Sequence, residues 1–395
     1  MIPRFGRVAA ALAGASLFFP FVHGAENETG SPPPLHWQGG VVQYHGSLET
    51  LYEYTSNVRR RYERSCDHVG ILRPVVGART EKDEEYRLET VYQLDAEGYR
   101  RNPSLDTLDH RWQADAQLGG RRLRLNASNL FVRTSDRAST VLSDRVQREE
   151  ETWRAAVAGR AMSWSPELAY RSFKRIYKDD LFQSYSVASL SPLLAKDLDE
   201  NHKVHAGLRY DRIYYSPGSS RNGEAYQGVL GWGYEPGRDF SARAAAGVQS
   251  RRYACARTGG FFGLVGDARA RYVPRDRLAL EAELSSAVQE APVERPSGYY
   301  LERSARATAD YRATEKLSLR LSQLYARQHY GDDSARADFS GRRGDDFFVT
   351  YGAATFQVLE KVSVTAGAAR EQRRSNIGRE SYLNHILSAS CKVEL

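Results

Sequence analysis

Seven arginines in this 395-residue sequence each follow directly on a residue suited to an apolar face: Leu123-Arg124, Trp153-Arg154, Leu208-Arg209, Ala242-Arg243, Ala268-Arg269, Ala305-Arg306 and Leu319-Arg320. Arg271 stands two positions beyond Arg269 and shares its parity. Successive side chains of a β-strand point to opposite faces, so where the apolar member meets hydrocarbon the guanidinium must face the other way. Guanidinium groups lining a hydrated path pair with carboxylate or phosphate and favour anionic solutes. Glu85, Glu89, Asp115, Glu281, Glu283 and Asp310 take the same inward parity, however. Two readings stay open: an arginine-lined path for anions, or a mutually neutralised wall whose charges hold one another in place. The net charge of +7 tilts the balance only slightly toward anions.

Other chemistry finds little support. The sequence has no G-x-S-x-G, H-E-x-x-H, C-x-x-C or P-loop motif. His385 falls on the outward parity of the last amphipathic run, where a lipase-type outer-wall histidine could stand, but no partner arrangement for catalysis is evident in the sequence. No catalytic residue, metal ligand or cofactor is expected. The basic balance does not indicate nucleic acid, because no isolated basic cluster lies on one element.

The elements that must position these charges are strands. In "DYRATEKLSLRLSQLYA" (310–326) a charged corner separates two alternating runs, and Leu317, Leu319 and Leu321 fall two apart. The same corner recurs in 232–248, 271–288 and 355–369, roughly every 40 residues, so the repeated unit is a β-hairpin. Alternation along the chain gives about 18 strands (16 to 18), each near the nine to eleven residues a tilted strand needs to cross hydrocarbon. Tight corners at 119–122, 235–239, 273–277, 313–316 and 359–361 alternate with long polar segments at 133–150, 215–224, 289–298 and 328–346. Short turns on one side and long loops on the other mark a transmembrane antiparallel up-and-down barrel. Tyrosine strengthens this: Tyr52, Tyr54, Tyr92, Tyr99, Tyr210, Tyr214, Tyr234, Tyr272, Tyr311 and Tyr351 stand near strand ends, where aromatic girdles belong.

No run of 18 or more apolar residues follows the N-terminus, and mean hydropathy is −0.59, so helical spans are not expected. Residues 1–25 read as a secretory signal, with Arg4 and Arg7 before an apolar core and a small-residue exit near Ala25. An uncleaved anchor helix is the competing reading, and the short run broken by Pro20 counts against it. Residues 26–40 read as a flexible periplasmic lead, and 41–395 as the barrel. Cys66 and Cys255 fall in loops on the same side, which leaves a bridge between them open, and Cys391 reads as a small hydrophobe. The last run places Leu387, Ala389, Cys391, Val393 and Leu395 on one face up to the final residue. Such a strand must be paired, because an open edge invites aggregation.

At "YEYTSNVRRR" (52–61), "LRPVVGA" (72–78), "LFQSYSVASLSP" (181–192) and "RDFSARAAAGVQSRRY" (238–253) the chain resembles the β-barrel porin families of Gram-negative bacteria. Thr55 stands where those families usually carry an acid, so no ligand role passes to this loop. The resemblance implies an outer-membrane pore surrounded by lipid and installed by the barrel-assembly machinery, and it implies a link to exopolysaccharide export. The final run is similar to the C-terminal sorting signal of such barrels, with Leu395 in place of the usual aromatic. The expected function is therefore passage of small polar or anionic solutes, or help in polysaccharide export. A non-conducting barrel whose loops bind a partner or glycan is the alternative.

Overall fold

The computed structural model describes residues 42–60, 65–82, 86–120, 122–135, 146–178, 183–215, 221–254, 260–290, 299–331, 343–377 and 380–395. Residues 1–41, where a signal and a lead segment are expected, Glu85 and Cys255 lie outside these described residues. Within them the chain forms 18 strands: β1 (Val42–Thr55), β2 (Asp67–Lys82), β3 (Tyr86–Tyr99), β4 (Thr107–Gly119), β5 (Leu123–Thr134), β6 (Arg148–Gly159), β7 (Trp164–Tyr177), β8 (Tyr185–Asp197) and β9 (His202–Tyr215), followed by β10 (Gly223–Tyr234), β11 (Phe240–Tyr253), β12 (Phe261–Arg275), β13 (Leu278–Glu290), β14 (Tyr299–Arg312), β15 (Leu317–Tyr330), β16 (Gly344–Leu359), β17 (Val362–Ser375) and β18 (Tyr382–Glu394). Every strand pairs antiparallel with its neighbours in sequence, and β1 pairs with β18 from Ser47↔Glu394 to Thr55↔Ile386. The sheet therefore closes on itself and has no edge.

The strands run longer than the alternation predicts, from 12 residues in β5 to 16 in β2 and β16. Only about nine to eleven are needed to cross hydrocarbon, so the wall projects beyond the apolar layer. Turns and loops alternate as expected. Asp276-Arg277 and Glu360-Lys361 join strands at one end, whereas residues 135–147 and 331–343 connect them at the other. Gly119 shows why one corner must be glycine: its φ is +102°, and a Cβ there would lie 2.4 Å from the Leu123 carbonyl oxygen. In the turn before β9, the Asp199 carboxylate accepts the backbone N–H groups of Asn201 and His202 at 2.8 and 2.7 Å, which holds its pKa below the usual carboxylate range.

The outer face is apolar. Leu208, Leu230, Phe262 and Leu264 are among its most exposed residues, Leu230 at 70%. Aromatic residues bound this face at both ends. At the turn end His202, Trp232, Tyr234, Phe240 and Tyr272 form a chain of ring contacts, with His202 and Tyr234 stacked at 4.6 Å. At the loop end Tyr52 shares a hydrogen bond with His68 (2.6 Å), Tyr92 shares one with His110 (2.7 Å), and Tyr210 donates to Glu224 (2.9 Å). From Tyr226 to Tyr234 on one strand is about 27 Å of chain, or roughly 20 Å across the layer at a ~40° tilt. Two of the expected girdle tyrosines belong elsewhere. Tyr99 packs inside against Val58 and Val69 and donates to Glu97, because it ends a strand that has already left the apolar layer. Tyr351 takes the inward parity of Asp345 and Phe347.

Candidate functional site: the charged lumen

The inward parity of the sheet carries the arginines singled out above, and the register supplies most of them with acids. Arg154 meets Glu167 at 2.9 Å, and Arg209 meets Asp211 at 2.6 Å while reaching Ser189 at 3.4 Å. Arg269 binds Glu281 at 2.5 Å and Glu283 at 3.5 Å, and Arg306 reaches Glu283 from the other side at 3.5 Å. Arg320 grips Asp310 with two nitrogens at 2.6 and 3.1 Å, the fork geometry of a strong pair. Arg124, Arg243 and Arg271 make no ion pair among the described residues, and Asp267 lies within electrostatic reach of Arg243. The geometry thus favours the neutralised wall over a bare arginine path. Glu89 and Asp115 face inward as expected, Glu89 held by Arg87 at 2.7 Å.

The two halves of the lumen differ. Near the turn end the inward charges stay hydrated: Arg320 is 59% and Asp310 43% exposed. Near the loop end they are packed. Glu290, at the tip of β13, accepts from the Tyr215 hydroxyl on β9 and from Arg251 on β11, with Tyr253 at 3.4 Å, and Arg251 and Glu290 are each only 6% exposed. Arg221 adds a 3.1 Å hydrogen bond to Tyr215 and lies over its ring at 4.3 Å. This cluster ties strands four apart in the sheet, so it cuts a chord across the loop mouth. Beside it Phe173, Tyr185, Ile213 and Tyr215 pack together, and Arg175 bridges to Glu150 at 2.8 Å.

A second buried cluster centres on β16 and β17. Asp345 receives Arg343 at 2.9 Å and Arg373 at 2.6 Å, with Arg343 and Asp345 fully buried, and Glu380 stands 3.7 and 3.8 Å from the two guanidiniums. Arg343 also lies over the Tyr330 ring at 4.8 Å. Buried pairs of this kind gain little net stability, but losing one partner is costly. They fix shape.

At the seam, Asn384 of β18 accepts from Thr55 Oγ1 (2.9 Å), Ser56 Oγ (3.4 Å) and the Asn57 backbone N–H (2.8 Å). The "YTSN" stretch therefore ends β1 and clasps the last strand. Leu387 and Leu395 are exposed on the outer face, and Ala389, Cys391 and Val393 share their parity, with Cys391 paired in register to Thr50 and Val364. His385 is outward and exposed. Among the described residues Cys66 is a free thiol that accepts from Arg101 at 2.9 Å and Cys391 is free as well, while the expected partner of Cys66, Cys255, lies outside them.

Several central residues escape the sequence reading. Arg251 and Glu290 were hidden because the strands outrun their expected length. Parity with Arg243 would have found Arg251, but nothing in the sequence brings Glu290 to it. Arg171 follows outward Tyr170 and was legible by the same rule as its neighbours.

Comparison with known proteins places this geometry. The family described as "Putative beta-barrel porin 2" matches residues 198–395, the part of the chain from the turn before β9 through β18. No curated protein matches the chain in sequence. Among solved structures the chain is similar to OpdQ of Pseudomonas aeruginosa, with a TM-score of 0.52, 10% identity, and coverage of 90% of this chain and 100% of that one. It is also similar to OccAB3 of Acinetobacter baumannii (0.49, 10%, 90% and 99%) and to the outer membrane protein opdK of Pseudomonas aeruginosa (0.48, 11%, 89% and 99%). At such identity the likeness to OpdQ is one of fold, a closed 18-strand barrel of the outer-membrane porin type. An outer-membrane location follows from that architecture. With half of its length matched, the chain belongs to the β-barrel porin family so described.

Proposed function

We propose that the protein is an outer-membrane diffusion channel for small polar solutes, exported through residues 1–25 and oriented with its long loops outside the cell. One observation carries this reading: a sheet closed without an edge holds hydrated charges such as Arg320 and Asp310 on its inner parity. Charges facing inward and still wet require water in the interior, and barrels of 16 to 18 strands are wide enough to hold it. The paired lumen makes selectivity a matter of local contrasts, so a strong general preference for anions is not part of the proposal. Export of a polysaccharide chain rests on the family resemblance alone. The outer stripe from Leu387 to Leu395 is proposed as the signal that the assembly machinery reads.

The packed loop mouth supports a second reading, a barrel that stays shut and serves as a surface scaffold. Planar bilayers separate the two. The folded full-length protein is expected to give discrete conductance steps, whereas a silent bilayer with correctly folded protein defeats the channel. Charge reversal at Arg269 and Arg320 is expected to move the reversal potential toward cations.

A further inference from the structure

One row of the inner wall is arranged against stability. Glu89 on β3 stands directly opposite Asp115 on β4, Asp115 opposite Ser128 on β5, Ser128 opposite Arg154 on β6, and Arg154 opposite Arg171 on β7. Two acids are paired with each other and two guanidiniums are paired with each other. Like charges directly opposite across strands are destabilising, and simple exchange of positions would have made two favourable pairs instead. Relief is partial. Glu89 has Arg87 and Arg154 has Glu167, but among the described residues Asp115 accepts only the Gln113 amide (2.7 Å). Arg171 rests over the Phe173 ring at 5.5 Å, with Asp211, itself held by Arg209, in electrostatic reach but no ion pair among the described residues. Arg124, Arg243 and Arg271 also lack an ion pair among the described residues, but on this row an anion and a cation without ion pairs stand on the same level.

We propose that this row is a subsite for small zwitterionic solutes of the amino-acid or dipeptide class, which orient with the carboxylate on Arg171 and the ammonium on Asp115. Arg154 and Glu89 strengthen the two poles. Three strand spacings separate Asp115 from Arg171, about 14 Å between Cα atoms at ~4.8 Å per strand. The reach of the two side chains leaves a gap of roughly 5–8 Å, which suits a solute carrying both charges a few bonds apart. An arginine that makes no ion pair with a protein carboxylate among the described residues can offer its fork to a solute carboxylate, and in a wet lumen such a contact is weak enough to release. The subsite rests on the reading of the barrel as a channel.

Uptake by vesicles holding the full-length protein tests it, with glycylglycine as the zwitterion, N-acetylglycine as the anion and arabinose as the neutral reference. Asp115→Asn and Arg171→Gln are each expected to lower the glycylglycine-to-arabinose rate ratio about threefold or more, with arabinose uptake unchanged. Arg171→Lys, which keeps the charge, is expected to retain most of the ratio, and heat-modifiable gel mobility verifies folding of each variant. An unchanged ratio in both charge-removing variants overturns the subsite. So does a fall confined to Arg171→Gln that N-acetylglycine follows in step, since that describes a plain anion site. Failure of arabinose to enter wild-type vesicles defeats the channel and the subsite together, whereas normal arabinose entry with an unchanged ratio defeats the subsite alone.

Discussion

Asn384 shows how much one side chain can hold. Its carbonyl oxygen takes two hydroxyls and a backbone N–H from the end of β1, and its amide donates to Glu371 at 3.3 Å. Removing it leaves the buried Asn57 N–H without that acceptor, and a buried unsatisfied donor costs about 1–3 kcal/mol. Asn384→Ala is therefore expected to lower the urea midpoint of the folded barrel and the temperature at which its heat-modifiable band shifts. An unaltered midpoint would show that the strand pairing alone carries the seam. At this scale the sequence was half legible. Alternation told which side Arg154 or Arg320 faces, because parity is a local property. It did not tell that Glu167 and Asp310 would meet them, because partners depend on register between strands.

Strand ends are secured by a recurring device, an acid at the start of one strand that gathers the loop closing the next hairpin. Asp67 on β2 accepts the N–H groups of His68, Arg101 and Asn102 and the Asn102 amide, at 2.7 to 3.0 Å. Asp109 on β4 does the same for Thr134 and Ser135 after β5. Asp67→Ala is expected to speed proteolysis within residues 100–106 by tenfold or so, about the effect of 1–2 kcal/mol on local opening. Equal cleavage rates would mean that the short 3-10 turn of Pro103–Leu105 orders the loop unaided. The number of strands and the alternation of turns with loops were legible, since both rest on period-two patterning and on corner residues. Strand lengths were not. Residues beyond the apolar layer still pair, but their outward positions no longer need to be greasy, so the pattern fades before the strand does.

For the molecule as a whole, the Glu290 cluster spans part of the loop mouth among the described residues. Tyr215, Arg251 and Tyr253 converge on that one carboxylate from strands two and four away. Glu290→Ala is expected to raise unitary conductance, while an unchanged conductance would place the narrowest point elsewhere. Closure was foreseeable from the amphipathic last run, which had to find a partner. The interior packing was not, because it joins side chains that neither local pattern nor hairpin pairing relates. That is also why the family resemblance reads the wall well and the mouth poorly.

The join between β1 and β18 has a consequence for biogenesis. Its two strands are the first and last in chain order, and Asn57 and Asn384 lie 327 positions apart. Until β18 meets β1, both margins of the sheet present unmet amides and carbonyls. Open rims of this kind invite association with other chains, so the pairing of β18 with β1 is what removes that liability.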